Sequence, residues 1–261
     1  MERCPARVPG PRPVGSCERR RPPIHRLILW NIDLTLVDVG QVNRDATVDA
    51  FRAATGRPLI QLPHTAGRTD SEVFFEALAV NAPELDGGGN TQGLLADYNE
   101  ALAAAFAARQ DQLTAKGRLL PGAQEAVVAV ASLPGVVQTV LTGTIQPNAV
   151  TKLRAFGLAD LFELEIGGYG SEVYPKGTLL QVTRSRAGEA HGVTFGETAT
   201  AYIADSPRDA EAARVGGARS IAVASGRSTA AELAASGADA VLADLADTAL
   251  VVRTVDDLTS R

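Results

Sequence analysis

Four short polar segments carry the side chains that could do chemistry in this chain. They are Asn31-Ile32-Asp33-Leu34-Thr35, Thr142-Gly143-Thr144, Tyr174-Pro175-Lys176-Gly177 and Asp205-Ser206-Pro207-Arg208-Asp209. Together they supply acids that can hold a cation or move a proton, a hydroxyl, and one lysine that can face an anion. Each follows a short apolar run. In open α/β sheets ligands bind beyond the carboxyl ends of the strands, so such polar residues are where function belongs.

The elements that must position these segments alternate in type. Apolar runs at Leu27–Trp30, Val136–Leu141, Phe162–Ile166, Ala201–Ala204, Ser220–Ala224 and Ala240–Leu242 read as six strands. Helical segments at Gln146–Phe156, Gly177–Ala187, Arg208–Val215, Thr229–Ala235 and Thr248–Leu258 lie between and after them, with Gly157, Gly216 and Gly237 placed as helix-ending glycines. This alternation predicts an α/β fold, a doubly wound parallel sheet with helices on both faces. The first two strands are about a hundred residues apart, too far for one crossover, so a module is inserted. Within it Leu95, Tyr98, Leu102, Ala105 and Phe106 recur at helical steps, and Val48 with Phe51 and Val73 with Phe74 and Leu78 mark shorter helices. Period-two alternation is missing, so the insert, residues 40–118, is expected to be all-helical. The core then comprises residues 27–39 and 119–261, re-entered at Pro121-Gly122.

Composition narrows the setting. The chain has 261 residues, 45% of them hydrophobic, and a net charge of −5. Residues 1–26 hold seven Arg, two Glu and six Pro and read as a basic, disordered extension; the remainder then carries 18 basic against 28 acidic side chains, which disfavours nucleic acid as a partner. No apolar run reaches the roughly 18 residues of a membrane span. Both cysteines, Cys4 and Cys17, fall in the extension, so the body needs no disulfide and a cytoplasmic location is expected. His25, His64 and His191 lack ligand spacing, Gly87-Gly88-Gly89 lacks the context of a phosphate loop, and Ser206 and Ser225 lack that of a serine hydrolase. A lone Asp at a strand end is more often a cap than a catalyst. Only the joint occurrence of the four segments reverses that reading.

Over about Leu27 to Leu242 the sequence resembles the haloacid dehalogenase superfamily of phosphatases, in particular its phosphoglycolate-phosphatase-like branch with a helical cap. That family's motifs read Asp-x-Asp-x-Thr, then Thr or Ser before a small residue, then Lys, then an acidic cluster, and they occur here in that order at strand ends with a cap-sized insert. Gly67-Arg68-Thr69-Asp70 is similar to the cap's Gly-Arg-Thr segment. The resemblance implies a Mg²⁺-dependent phosphatase of a small phosphorylated metabolite. Asp205 would be the main metal ligand, joined by the side chain at position 31 and the backbone carbonyl of Asp33, with Asp209 as a further ligand. Asp33 would exchange protons with leaving group and water. Thr142 and the Gly143 amide would hold phosphoryl oxygens, Lys176 would offset their charge, and Arg68 would select an anionic substrate.

Position 31 departs from the pattern. Where the family has its nucleophilic aspartate this chain has Asn31, whose carboxamide keeps the shape and can coordinate through oxygen but is uncharged and a very poor nucleophile. The aspartyl-phosphate step should therefore fail. An introduced change, a natural loss of activity and the use of another nucleophile would each account for it. A non-catalytic relative that binds phosphate ligands is the alternative reading. A dehalogenase, which needs the carboxylate but no metal, is disfavoured by Asp205 and Asp209.

Overall fold

The structure, a computed structural model, describes residues 25–86, 91–172 and 175–260. The extension up to Ile24, the Gly87-Gly88-Gly89 turn and Tyr174 lie outside the described residues.

Five parallel strands form the central sheet: β1 (Arg26–Trp30), β4 (Val136–Val140), β5 (Thr200–Ala204), β6 (Arg219–Val223) and β7 (Ala240–Leu242), in the order β4-β1-β5-β6-β7. Every residue of β1 is buried, and its side chains alternate between two apolar layers as a strand requires. Leu27 and Leu29 join Leu179, Leu180, Tyr202 and Ala213 on one face. Ile28 and Trp30 join Val127, Ile203, Ile221 and Val255 on the other. Each such side chain withdrawn from water contributes about 1.5–3 kcal/mol, so both faces hold β1 in place beneath the first polar segment. Helices α7 (Lys176–His191) and α8 (Pro207–Gly216) cover the first face, while α5 (Ala123–Ala131) and α10 (Thr248–Thr259) lie against the second; α6 (Gln146–Ala155) follows β4, and α9 (Ala230–Ala235) links β6 to β7.

Three boundaries differ from the sequence reading. Arg26, assigned to the extension, opens β1: its guanidinium is buried against Asp256 at 2.6 Å, which ties the strand to α10. The apolar run Phe162–Ile166 is not a strand. It is folded into 3₁₀ turns at Ala159–Leu161 and Leu164–Ile166, with Phe162 and Ile166 still buried. The edge of β4 is met by single backbone bonds, Glu163 N–H to the Gln138 carbonyl at 3.1 Å and Gly168 N–H to the Val140 carbonyl at 2.9 Å, and its side chains hold the turns in return: Gln138 donates to the Leu161 carbonyl at 2.8 Å and Thr139 to that of Glu163 at 2.6 Å. Finally, the glycine that ends α8 in the left-handed region is Gly217 rather than Gly216, which packs against Leu180.

Two short antiparallel strands, β2 (Val37–Asp38) and β3 (Arg118–Leu119), bracket the insert. Between them lie α1 (Gly40–Thr55), α2 (Asp70–Asn81), α3 (Thr91–Ala107) and α4 (Gln112–Lys116), and no strand among the described residues. Phe51, Phe74, Tyr98 and Phe106 form the centre of this module, with Phe74 stacked on Tyr98 at 4.7 Å. The same apolar cluster continues into the sheet layer through Val37, Val39 and Val42, so cap and core are packed as one body.

Candidate active site

The carboxyl ends of β1, β4 and β5 and the N-termini of α7 and α8 meet under the cap around a cavity of about 170 Å³. Asn31, Asp33, Arg68, Thr142, Gly143, Lys176 and Asp205 all line it, as do Asp70 and Lys152. Of the residues singled out from sequence, only Asp209 stands behind the wall.

The first segment leaves β1 through a tight turn. Leu34 sits at φ 59°, a left-handed conformation a leucine rarely adopts, held by its N–H to the Val37 carbonyl (2.7 Å) and by Ser225 donating to its own carbonyl (2.7 Å). This turn points Asp33 into the cavity. Its two carboxylate oxygens accept from Lys152 Nζ at 2.9 and 2.7 Å, from Asn43 at 2.8 Å and from Thr144 at 2.9 Å. Burial pushes the Asp33 carboxyl up, but the charge and hydrogen bonds of Lys152, with those of Asn43 and Thr144, outweigh it and hold the group below its ordinary range.

Thr142 and Lys176 line the same cavity. The Thr142 hydroxyl accepts the Thr144 N–H at 3.2 Å, which fixes the strand-end loop. Lys176 is buried at the first position of α7 and donates to Asp209 Oδ1 at 2.7 Å. Asp209 was expected as a metal ligand. Instead its oxygens accept from Lys176, from Tyr202 at 3.0 Å and from Ser206 at 2.5 Å, so its lone pairs are spent on orienting the lysine. Arg68 reaches the cavity wall with its guanidinium paired to Glu76 of the cap.

Asn31 and Asp205 occupy the floor, both 5% exposed. Asn31 Nδ2 donates to the Asp33 carbonyl at 2.9 Å, to Asp205 Oδ1 at 3.0 Å and to the Thr35 hydroxyl at 3.2 Å; Thr35 in turn donates to the same Asp205 oxygen at 3.1 Å. Burial and the nearby Asp209 raise the Asp205 carboxyl to about 7, against the opposing pull of Lys176 and Thr35. Gly226 is obligatory beside it, because a Cβ there would stand 2.1 Å from Asp205 Oδ2. The carbonyl of Asp33 and the carboxylate of Asp205 are hard oxygen donors of the kind Mg²⁺ takes. The third member of the expected set does not fit: the amide nitrogen of Asn31 lies between them and presents hydrogens. Among the described residues, no group of three His, Cys, Asp or Glu side chains is placed to hold a metal ion.

The cap closes over this floor through the Arg68–Ser71 turn. Asp70 N–H donates to the Gly143 carbonyl at 2.7 Å, the Ile145 N–H donates to Asp70 Oδ2 at 2.9 Å, and Ser71 donates to the Gly170 carbonyl at 3.0 Å. The approach is close enough that a Cβ on Gly143 would meet the Arg68 carbonyl at 1.9 Å. Asp70 and Lys152 were not among the site residues drawn from sequence. Asp70 was quoted only within the cap segment. A signal for Lys152 existed: Ile145, Ala149, Lys152 and Leu153 form the buried stripe of α6 and its cap, and a lysine in an apolar stripe needs a partner.

A sheet of parallel strands with acids, a hydroxyl and a lysine at its carboxyl ends, closed by a helical insert, defines a cap-bearing Rossmann-like hydrolase architecture. The chain belongs to the haloacid dehalogenase-like hydrolase family, whose pattern matches residues 28–214. No curated protein matches the sequence. Among solved structures it is similar to a hydrolase from Pseudomonas syringae, with 21% identity, 89% of this chain and 99% of that chain covered and a TM-score of 0.64. It is also similar to an aspartate-to-asparagine variant of CbbY from Rhodobacter sphaeroides in complex with xylulose-1,5-bisphosphate, with 21% identity, coverage of 86% and 96% and a TM-score of 0.58. A predicted phosphoglycolate phosphatase from Haemophilus somnus shares 19% identity over 87% and 97% of the two chains, with a TM-score of 0.55. At these identities the likeness establishes the fold.

Proposed function

We propose that the pocket takes a small phosphorylated metabolite and is built as the site of a phosphate-monoester phosphatase whose covalent step Asn31 impairs. The observation that carries this reading is the gathering of Asn31, Asp33, Thr142, Lys176 and Asp205, drawn from four separate stretches of chain, around one cavity. A phosphoryl group beside Lys176 would be met by the Thr142 hydroxyl and the Gly143 amide, and the lysine's charge would offset its own. Asp33 stands across the cavity, where it can exchange a proton with the leaving oxygen or with water. The cavity's size and the docked Arg68–Ser71 turn favour a compact substrate shielded from bulk water. Position 31 faces the phosphoryl site with an amide that has no negative charge to attack phosphorus.

The superfamily's usual Mg²⁺ requirement is not carried over to this chain as it stands, since Asn31 places hydrogens among the expected oxygen ligands. Among the described residues no helix is long and apolar enough to cross a membrane. We place the protein in the cytoplasm, a setting that suits a body without cysteine.

A non-catalytic phosphate-ligand-binding role is the second reading. The Asp33–Lys152 pair favours it, because it holds Asp33 ionised when a proton donor to the leaving group must be protonated. Phosphate release from a panel of small phosphate esters, with Mg²⁺ supplied, separates the two. Asn31→Asp should release phosphate from at least one ester while the unaltered chain stays near background. Ligand-dependent stabilisation with no turnover in either version would replace the phosphatase reading with the binding one.

A further inference from the structure

At the floor of the pocket the structure and the expected chemistry part. The backbone carbonyl of Asp33 and Oδ1 of Asp205 converge on a common point, and that point is held by Asn31 Nδ2, 2.9 Å from one and 3.0 Å from the other. The assignment of nitrogen rather than oxygen follows from the partners: the Asp33 carbonyl can only accept, and Asp205 Oδ1 already accepts from Thr35, so an N–H₂ group suits both. The amide is 5% exposed and so is Asp205, so water competes little for these bonds. Thr35 adds its hydroxyl, donating to the same Asp205 oxygen at 3.1 Å and accepting from the amide at 3.2 Å. Four groups thus form a closed network in which the lone pairs that would face a cation already face hydrogens.

We propose that the Asn31 amide serves as a built-in substitute for the divalent cation, so that this corner of the pocket is complete without Mg²⁺ and does not bind it. Mg²⁺ needs its oxygens at about 2.0–2.1 Å and gives up its own waters reluctantly. To enter here it must displace an amide already bonded to both oxygens. Turning that amide to offer its oxygen would take its two hydrogens away from the Asp33 carbonyl, Asp205 and the Thr35 hydroxyl, which share them. The residue type also removes the attraction: with Asn at position 31 the corner has one carboxylate, that of Asp205, instead of two. Both requirements reverse with a carboxylate at position 31. It would bring acceptors only, set against a carbonyl and another carboxylate, and a cation would then be needed to hold them together.

The experiment uses the full chain and does not depend on the phosphatase reading, since its readouts are metal binding and stability. Mn²⁺ alone is titrated, followed by electron paramagnetic resonance, into the unaltered chain, Asn31→Asp and Asp205→Asn. Melting temperatures are taken in chelator and in Mg²⁺. The unaltered chain should take up no Mn²⁺ that Asp205→Asn abolishes, and its melting temperature should be the same in chelator and Mg²⁺. Asn31→Asp should bind one Mn²⁺ per chain, with affinity on the order of a hundredfold higher, the kind of change a ligand's charge produces. It should melt on the order of 5 °C below the unaltered chain in chelator and regain that loss in Mg²⁺. Mn²⁺ bound to the unaltered chain and unaffected by Asp205→Asn lies elsewhere and agrees with the proposal. One Mn²⁺ bound to the unaltered chain and lost in Asp205→Asn overturns it, even if Asn31→Asp fails to fold. Tight binding by the unaltered chain with no turnover by Asn31→Asp would defeat this inference and the phosphatase reading separately.

Discussion

Two lysine–aspartate pairs, both closed at 2.7 Å, border the pocket and differ in how far they are sealed from it. Lys176–Asp209 is sealed: the side chains are 5% and 1% exposed, and Asp209 is held besides by Tyr202 and Ser206. Lys152–Asp33 is open at one end, with Lys152 at 1% but Asp33 at 28% and facing the cavity. In the first pair the lysine lines the cavity and the acid stands behind it. In the second the acid is the exposed partner and the lysine is buried, 5.5 Å from the Phe106 ring of the cap. A buried charge needs a partner wherever it sits, so each functional group here brings its own counter-charge from a different helix: Asp209 from α8 for Lys176, Lys152 from α6 for Asp33.

If that distinction is right, breaking the sealed pair costs more. Asp209→Ala leaves Lys176 charged, buried and without an anionic partner within bonding distance, and stability should fall by about 3–5 kcal/mol in denaturant titration. Lys152→Met should cost less, about 1–3 kcal/mol, because Asp33 keeps Asn43, Thr144 and access to water. Equal losses would erase the contrast. Lys152→Met carries a second signature. The lowered Asp33 value means that its contribution to stability is present above the ordinary carboxylate range and is lost as pH falls through the lowered value. Without the lysine, burial prevails, the Asp33 carboxyl titrates higher in a carbon-detected NMR titration, and the acid-side loss of stability moves up in pH.

The same two pairs show how far sequence reaches. Asp33, Thr142 and Asp205 were legible because each follows an apolar run at a strand end, and a parallel sheet brings strand ends together whatever the details of packing; the run before Lys176 is no strand, and Lys176 reaches the cavity from the first position of α7. Five of six strands were legible for the same reason. The sixth failed because Phe162–Ile166 has a strand's hydrophobicity but is folded into 3₁₀ turns held to β4 by one backbone bond, from Glu163 N–H, and by the Gln138 and Thr139 side chains, which no periodicity encodes. Asp209 was legible as a residue but not as a role: four positions after Asp205 it reads as a second ligand, and only coordinates show its oxygens turned toward Lys176. Lys152 and Asp70 depend on how α6 and the cap turn dock, and docking is a tertiary fact.

Asp70 supplies the smallest effect and the sharpest control, a carboxylate in the same cavity with no lysine at bonding distance. Its carboxylate accepts the Ile145 N–H at 2.9 Å. Burial raises it to about 6, with Lys152 and that N–H pulling the other way and Asp33 adding to the rise. The sign is opposite to that of Asp33. A carboxyl whose folded value lies above its ordinary 3.8 binds more protons folded than unfolded between those values, so the protein loses stability as pH rises from about 4 to about 6. Asp70→Asn keeps an acceptor for Ile145 and carries no charge to bury. It should lessen the decline in melting temperature over that range, leaving the share that Asp205, raised to about 7, contributes, and leave the acid limb, set by Asp33, in place. A decline between pH 4 and 6 undiminished in Asp70→Asn would assign all of it to Asp205 and would mean that the protein tolerates an ionised Asp70 at no cost.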